Sequence, residues 1–190
     1  ASRIEVARAR LDWSPWALLR GHLHVNDLAL GELRWVPLAR EEPKAEEPVT
    51  LPESLRLPLR ISLDVAKVER IVIGAGESAT VLRNLALSLH KPAGDYLLKL
   101  SSLGTPWGEG QGDVTLADAP PFALAAKLAF AQGGELPFRV QATLSGTLSR
   151  LGVQAGAEAV GGQTRVDATL APFDAKRPVV TARVQAQGID

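Results

Sequence analysis

Residues 136–149, LPFRVQATLSGTLS, alternate almost without fault. Leu136, Phe138, Val140, Ala142, Leu144 and Leu148 fall on even positions, and Arg139, Gln141, Thr143, Ser145, Thr147 and Ser149 on odd ones. Successive side chains of a strand point to opposite faces, so a period of two gives one dry face and one wet face. Such a pattern belongs to an antiparallel sheet solvated on one side, not to a parallel sheet buried on both.

The same period runs outward in both directions. In LRLPLRISL (55–63), Leu55, Leu57, Leu59, Ile61 and Leu63 oppose Arg56, Pro58, Arg60 and Ser62. Segment 81–90 carries Val81, Leu85, Leu87 and Leu89, and segment 95–103 carries Tyr96, Leu98 and Leu100. Later come Val166, Ala168 and Leu170, then Val180, Ala182, Val184 and Ala186. The stretch PFALAAKLAFAQGG (121–134) is rich enough in Ala to suit a helix. Its even-numbered Phe122, Leu124, Ala126, Leu128 and Phe130, flanked by Pro and Gly, favour a strand. Gly- and Pro-rich turn signals separate these segments at short intervals, which predicts an all-β, antiparallel meander of roughly ten to twelve strands.

Two stretches break the rhythm. In LDWSPWALLRG (11–21), Ser14 is placed to cap a helix with its side chain, Pro15 fits the first helical position, and Gly21 fits the exit. The expected helix, near residues 14–20, is too short to stand alone. It is therefore expected to lie on the sheet, covering part of the dry face near Trp13 and Trp35. Residues 40–54, REEPKAEEPVTLPES, are acidic, Pro-rich and almost without apolar side chains. They read as a flexible loop joining two strands.

Composition narrows the function classes. Lys plus Arg and Asp plus Glu each number 21 in 190 residues, so the net charge is zero. That balance speaks against nucleic acid and against a polybasic membrane patch. No apolar run approaches the roughly 20 residues that span a bilayer, and no signal-peptide pattern opens the chain. Cys is absent, which removes disulfides and thiolate metal sites. Met is absent too, and the chain is expected to be a single β-segment, 1–190, of a longer parent.

No constellation points to catalysis, a cofactor or a metal, and the chain is not expected to be an enzyme. His22 and His24 form an H-x-H pair with Asp27 in range, and read as rim histidines; His90 stands alone. GAGES (74–78) and GEGQG (108–112) lack the GK[ST] of a phosphate loop and read as turns. No Gly-x-Ser-x-Gly elbow surrounds Ser145, and no carboxylate pair has a buried setting. Arg34, Arg56, Arg60, Arg139 and Arg183 read as a solvated outer face.

The dry faces need cover, and no amphipathic helix supplies it. The sheet can fold over as a closed β-sandwich, close as a barrel, or curl into a trough that something else fills. The order of signals resembles a known family. Trp13, Pro15, Leu18, Leu19 and Gly21, followed by HLHVNDLAL, then the charged Pro-rich loop and LPESLRLPLRISLDVAKVERIVIG, look like the N-terminal third of the TamB family of AsmA-like, bridge-type lipid-transfer proteins. The segment LSGTLSRLGVQAGAEAVGGQTRVDATLAPFDAKRPVVTARVQAQGID, with its APF turn, is similar as well.

The resemblance implies a taco-like apolar groove in the periplasm, in a parent chain anchored in the inner membrane. It implies conduction of phospholipid acyl chains between inner and outer membranes, a link to outer-membrane protein assembly, and contact with TamA through other parts of the parent. The groove would be lined by Leu55, Leu57, Leu59, Leu85, Leu87, Phe122, Leu124, Leu128, Phe130, Phe138, Val140, Leu144, Leu170, Val180 and Val184. The alternative is a structural or chaperone-like scaffold whose strand edges hold β-barrel clients. Strand pattern at both termini also leads us to expect edge-to-edge self-association.

Overall fold

The computed structural model describes residues 2–37, 51–74, 76, 79–92, 94–174 and 177–188. The alternating segments from residue 60 onward all become strands. The elements are β1 (Ser2–Trp13), α1 (Pro15–Leu18), β2 (His22–Pro37), β3 (Arg60–Ile73), β4 (Thr80–Lys91), β5 (Asp95–Thr105) and β6 (Gly108–Ala117). They continue as β7 (Ala123–Gln132), β8 (Phe138–Thr147), β9 (Arg150–Ala159), β10 (Gly162–Leu170) and β11 (Val179–Gln187). The Ala-rich stretch is strand β7, as its period indicated. All eleven strands form one sheet in chain order, with β1 and β11 as its two edges. The sheet does not close into a barrel; it is an open, taco-like curl.

One ladder departs from the antiparallel meander. β2 and β3 run parallel, His22 opposite Arg60 and Trp35 opposite Ile73. A parallel neighbour needs a crossover of about a dozen residues or more, and the chain between Pro37 and Arg60 is long enough to supply it. Residues 40–50 of the expected loop lie outside the described residues.

Leu55, Leu57 and Leu59 are not in the strand that the sequence predicts for them, since β3 begins at Arg60. Their backbone is engaged elsewhere. The Leu55 N–H donates to the Asp118 carbonyl (2.9 Å), and the Tyr96 hydroxyl donates to the Leu55 carbonyl (2.6 Å). Pro58 lacks the N–H that a ladder position needs. Residues 51–59 thus form a strap along the strand ends rather than an extension of β3.

The sheet carries a bend line. Arg8 (φ 54°) and Asn84 (φ 52°) adopt left-handed backbone inside β1 and β4. The register places both in one transverse row, Arg8–Gly31–Glu69–Asn84. Across that row the apolar positions step by three instead of two: Val6 to Ala9, Leu30 to Leu33, Val68 to Ile71, Leu82 to Leu85. In β5 a bulge between Leu100 and Leu103 makes the same three-residue step. A left-handed or bulged residue breaks the pleat and bends its strand. The left-handed or bulged residues lie in β1, β4 and β5, and the three-residue apolar step continues between them through β2 and β3. Gly31 serves this row, because a side chain there would meet the Arg8 guanidinium at 2.9 Å.

Helix α1 is a single turn and does not play the expected covering role. Ser14 makes no side-chain cap bond; its carbonyl accepts the Ala17 N–H, and its hydroxyl meets Asn26 Nδ2 at 3.4 Å. None of its residues is buried, and Trp16 and Leu19 are about four-fifths exposed. Its contacts are with β2, which it directly precedes, whereas Trp35 lies at the far end of that strand. The turn is short because Gly21 (φ 67°) takes the left-handed exit and the chain re-enters the sheet at once.

The accessible surface is 13676 Å². A compact folded chain of 20.2 kDa has about 8,800 Å². A large surface is expected of a single sheet, and among the described residues the element contacts, α1 on β2 apart, run between neighbouring strands of that sheet, with no second layer. Among the described residues the buried apolar set is Ala66, Val68, Val72, Phe122, Ala126 and Leu151. A closed sandwich, which packs two inner faces against each other, is excluded.

A candidate apolar groove

Directly paired residues of neighbouring strands stand side by side on one face, so the register defines the surface. One row crosses the entire sheet: Leu11, Leu28, Ala66, Leu87, Leu100, Gly112, Leu128, Ala142, Ala155, Val166, Val184. A second does the same: Trp13, Val25, Leu63, Leu89, Leu98, Val114, Ala126, Leu144, Val153, Ala168, Ala182. Neither row contains a polar side chain. Between them, on the opposite face, runs Ser88, Lys99, Asp113, Lys127, Thr143, Gln154, Asp167 and Arg183. One face is therefore continuously apolar from edge to edge, and its reverse is charged.

The texture of the apolar face changes along it. From β1 to β5 it is mostly Leu, Val, Ile and Trp. From β6 onward Gly110, Gly112, Ala126, Ala142, Ala155, Ala157 and Ala168 lower the wall. At Gly112 a Cβ would come within 2.6 Å of Leu128 Cδ2, so the neighbouring strand's Leu occupies the space that glycine leaves. Phe130 and Phe138 stack on this face with ring centroids 5.8 Å apart.

Most of the predicted lining converges here. Leu85, Leu87, Leu124, Leu128, Phe130, Phe138, Val140, Leu144, Leu170 and Val184 share the apolar face by register, and Val180 sits in the irregular step beside Leu170 at the β11 edge. Leu55, Leu57 and Leu59 belong to the strap instead. Phe122 precedes β7 with φ 54° and is 3% exposed, so it is a packed anchor rather than a wall residue. The lining from β1 to β3 was missed, because the three-residue steps at the bend line hide the alternation. Those steps, repeated in successive strands, are the signal that identifies it.

The polar groups lie at the margins. Lys91 Nζ and Asp118 Oδ2 are 2.8 Å apart and both buried; Arg56 Nε approaches Asp118 Oδ1 at 3.7 Å, and Lys91 Nζ lies 5.1 Å from the Tyr96 ring centre. This cluster pins the strap to the ends of β4, β5 and β6. It is where Arg56, expected on the open outer face, finds its partner. The His22 and His24 rings stack 5.2 Å apart. His22 Nε2 meets Ser62 Oγ at 2.9 Å, and His24 Nε2 meets Asp64 Oδ2 at 2.8 Å, so the carboxylate partner is Asp64 and not Asp27. Parallel rings with separate partners do not converge on one ion.

Arg34 pairs with Glu32 at 3.1 Å, and Arg60, Arg139 and Arg183 are exposed. The polar face of β8–β11 is dished into a cavity of about 580 Å³ beside Gln141, Gln154, Arg165 and Gln185. No helix among the described residues is long and apolar enough to cross a membrane. No family model, curated protein or solved structure matches the chain.

Proposed function

We propose that this chain is a length of apolar conduit for phospholipid acyl chains, moving lipid between two membranes without chemical reaction. The observation that carries the reading is the pair of unbroken apolar rows that cross all eleven strands and have no second layer over them. An apolar surface of this extent in water is costly at about 25 cal/mol per Å², and an acyl chain covers it without introducing a polar group that needs a partner. Head groups remain in water at the open side. The resemblance to the TamB family supports the same reading. With it come a periplasmic location, an inner-membrane anchor, a role in outer-membrane biogenesis and contact with TamA through other parts of the parent.

The test is mass spectrometry of organic extracts from the purified chain and from the Val140→Asp, Leu144→Asp double variant. Both side chains are half-buried on the apolar face, and a carboxylate there is costly to desolvate beneath an acyl chain. Phospholipid bound to the parent chain and lost from a variant that keeps its circular dichroism is the expected result. Equal lipid in both, or none in either, removes the proposal.

A second reading rests on a different observation: no strand among the described residues pairs with the outer side of β1 or of β11. As a scaffold, the chain would hold unfolded β-clients by strand addition. Proline substitutions in β1 and β11 would abolish that activity, and charges on the apolar face would leave it intact.

A further inference from the structure

On the charged face of the sheet, β9 carries two glycines at alternate positions. Its residues on that face run Gly152, Gln154, Gly156, Glu158. The register sets Ser145, Thr143 and Gln141 of β8 beside Gly152, Gln154 and Gly156 on one side, and Thr169, Asp167 and Arg165 of β10 on the other. The strand is thus a low line between two taller polar banks. The cavity of about 580 Å³ on this face lies at Gly156, and a second of about 660 Å³ lies at Gly152. Gln154 and Asp167 border both, so the two make one furrow. From Gly152 to Gly156 it runs about 13 Å at the usual rise of a strand.

The fold asks different things of the two glycines. A Cβ on Gly152 would come within 3.3 Å of the Ser145 carbonyl oxygen, so close strand packing favours glycine there. A Cβ on Gly156 would meet nothing within 4 Å, and its φ lies outside the left-handed region. Glycine in a strand interior weakens the strand, and no contact within the chain calls for it at this position. Such a glycine marks a place where another group approaches the backbone closely. The banks are also unspent. On the charged face of β2 and β3, Glu32 holds Arg34 and Arg70, and Asp64 holds His24. Along the furrow, Gln141, Gln154, Arg165 and Asp167 make no side-chain hydrogen bond or ion pair with any described residue.

From these observations we infer that the furrow along β9 binds a neutral, polyhydroxylated chain, an oligosaccharide, laid over Gly156. The banks select this chemistry. They present hydroxyl, amide and charged groups and no apolar side chain, so a hydrocarbon finds no partner there. Arg139 and Arg165 are balanced by Glu158 and Asp167, so neither an anion nor a cation is favoured. The amides of Gln141 and Gln154 each donate and accept, as a sugar hydroxyl does. A peptide would bring backbone groups that need a strand edge, and the backbones of β8, β9 and β10 are already paired on both sides. No aromatic ring borders the furrow, so hydrogen bonds alone hold the ligand and the binding is weak. The site lies on the face opposite the groove and does not depend on the conduit reading.

The test is saturation-transfer NMR, which detects weak binding, of the chain with two uncharged sugars, maltotriose and the N-acetylglucosamine trimer. Transfer to at least one of them is expected. Gly156→Val fills the floor of the furrow without a clash, so it should cut that transfer several-fold while holding or raising the urea midpoint. Gln141→Ala combined with Gln154→Ala, both exposed, should cut it as well. An excess of trialanine or of tripolyphosphate should not displace the sugar. No transfer to either sugar, parent-like transfer in either folded variant, or displacement by the peptide or the polyanion overturns the inference. If Gly156→Val loses its circular dichroism, the glycine is structural and the glutamine pair decides alone: lost transfer keeps the site, and parent-like transfer removes it.

Discussion

Lys91 and Asp118, 27 residues apart, form a 2.8 Å ion pair that is the one fully charged contact buried among the described residues. It joins the end of β4 to the turn after β6, and the carbonyl of the same Asp118 receives the Leu55 N–H of the strap. Removing one partner strands the other charge away from water. Asp118→Leu should therefore destabilise the chain by about 3–5 kcal/mol, read by urea denaturation. Lys91→Met combined with Asp118→Leu should recover much of that loss, because no charge is then left unpaired. A double variant as unstable as Asp118→Leu alone would show that packing, not charge, sets the cost.

The bend line makes a backbone prediction. Asn84 holds φ 52° inside β4, a conformation that costs a side chain about 1–2 kcal/mol and that Gly and Asn tolerate best. Asn84→Gly should leave the denaturation midpoint nearly unchanged or raise it. Asn84→Val, β-branched and suited to regular strand, should lower it clearly. Equal effects from the two would mean that the position is not conformationally demanding.

Phe122 and Trp16 invert the usual ranking of aromatic residues by size. Phe122 is 3% exposed and Trp16 is 79% exposed. Phe122→Ala should cost about 3–5 kcal/mol, and Trp16→Ser less than about 0.5 kcal/mol. Thermal melts of the two variants decide it, since the opposite order would place α1 against the sheet.

Gly112 lies in an unbroken apolar row with Leu128 Cδ2 only 2.6 Å from where its Cβ would be. Gly112→Ala should destabilise by about 1–3 kcal/mol through overpacking. Leu128→Ala introduced alongside it should relieve part of that strain, which a double-mutant cycle measures.

Ten ladders join the strands and one of them is parallel, so β11 runs antiparallel to β1. A second copy placed head to tail therefore meets an antiparallel edge, with its apolar face in line. Self-association through these edges predicts concentration-dependent sedimentation that Val184→Lys or Val6→Lys abolishes, because a charged edge resists pairing. A parent chain that stays monomeric at every concentration would end the idea.

The readings that succeeded share a cause. From β5 to β11 each strand pairs with its neighbour in sequence, so the alternation seen in LPFRVQATLSGTLS passes unchanged into register, and Leu124, Leu128, Val140, Leu144 and Val184 fall where a period of two puts them. The readings that failed involve residues whose backbone is claimed from a distance. Leu55 and Leu57 alternate as well as any strand, but Asp118 and Tyr96 hold that backbone in the strap. The segment around Ser14 has every local mark of a capped helix. Its extent was decided by Gly21 and by the immediate start of β2.

By itself the sequence determined that the chain is built of strands with one dry side, because side-chain alternation is a local property of extended backbone. Only the tertiary structure decided that β2 and β3 run parallel, that left-handed or bulged residues in β1, β4 and β5 shift the apolar step by one, and that the dry side stays open. Those outcomes depend on which distant strands meet and in what register, and hydrogen bonds between residues far apart in the chain leave no mark in local periodicity.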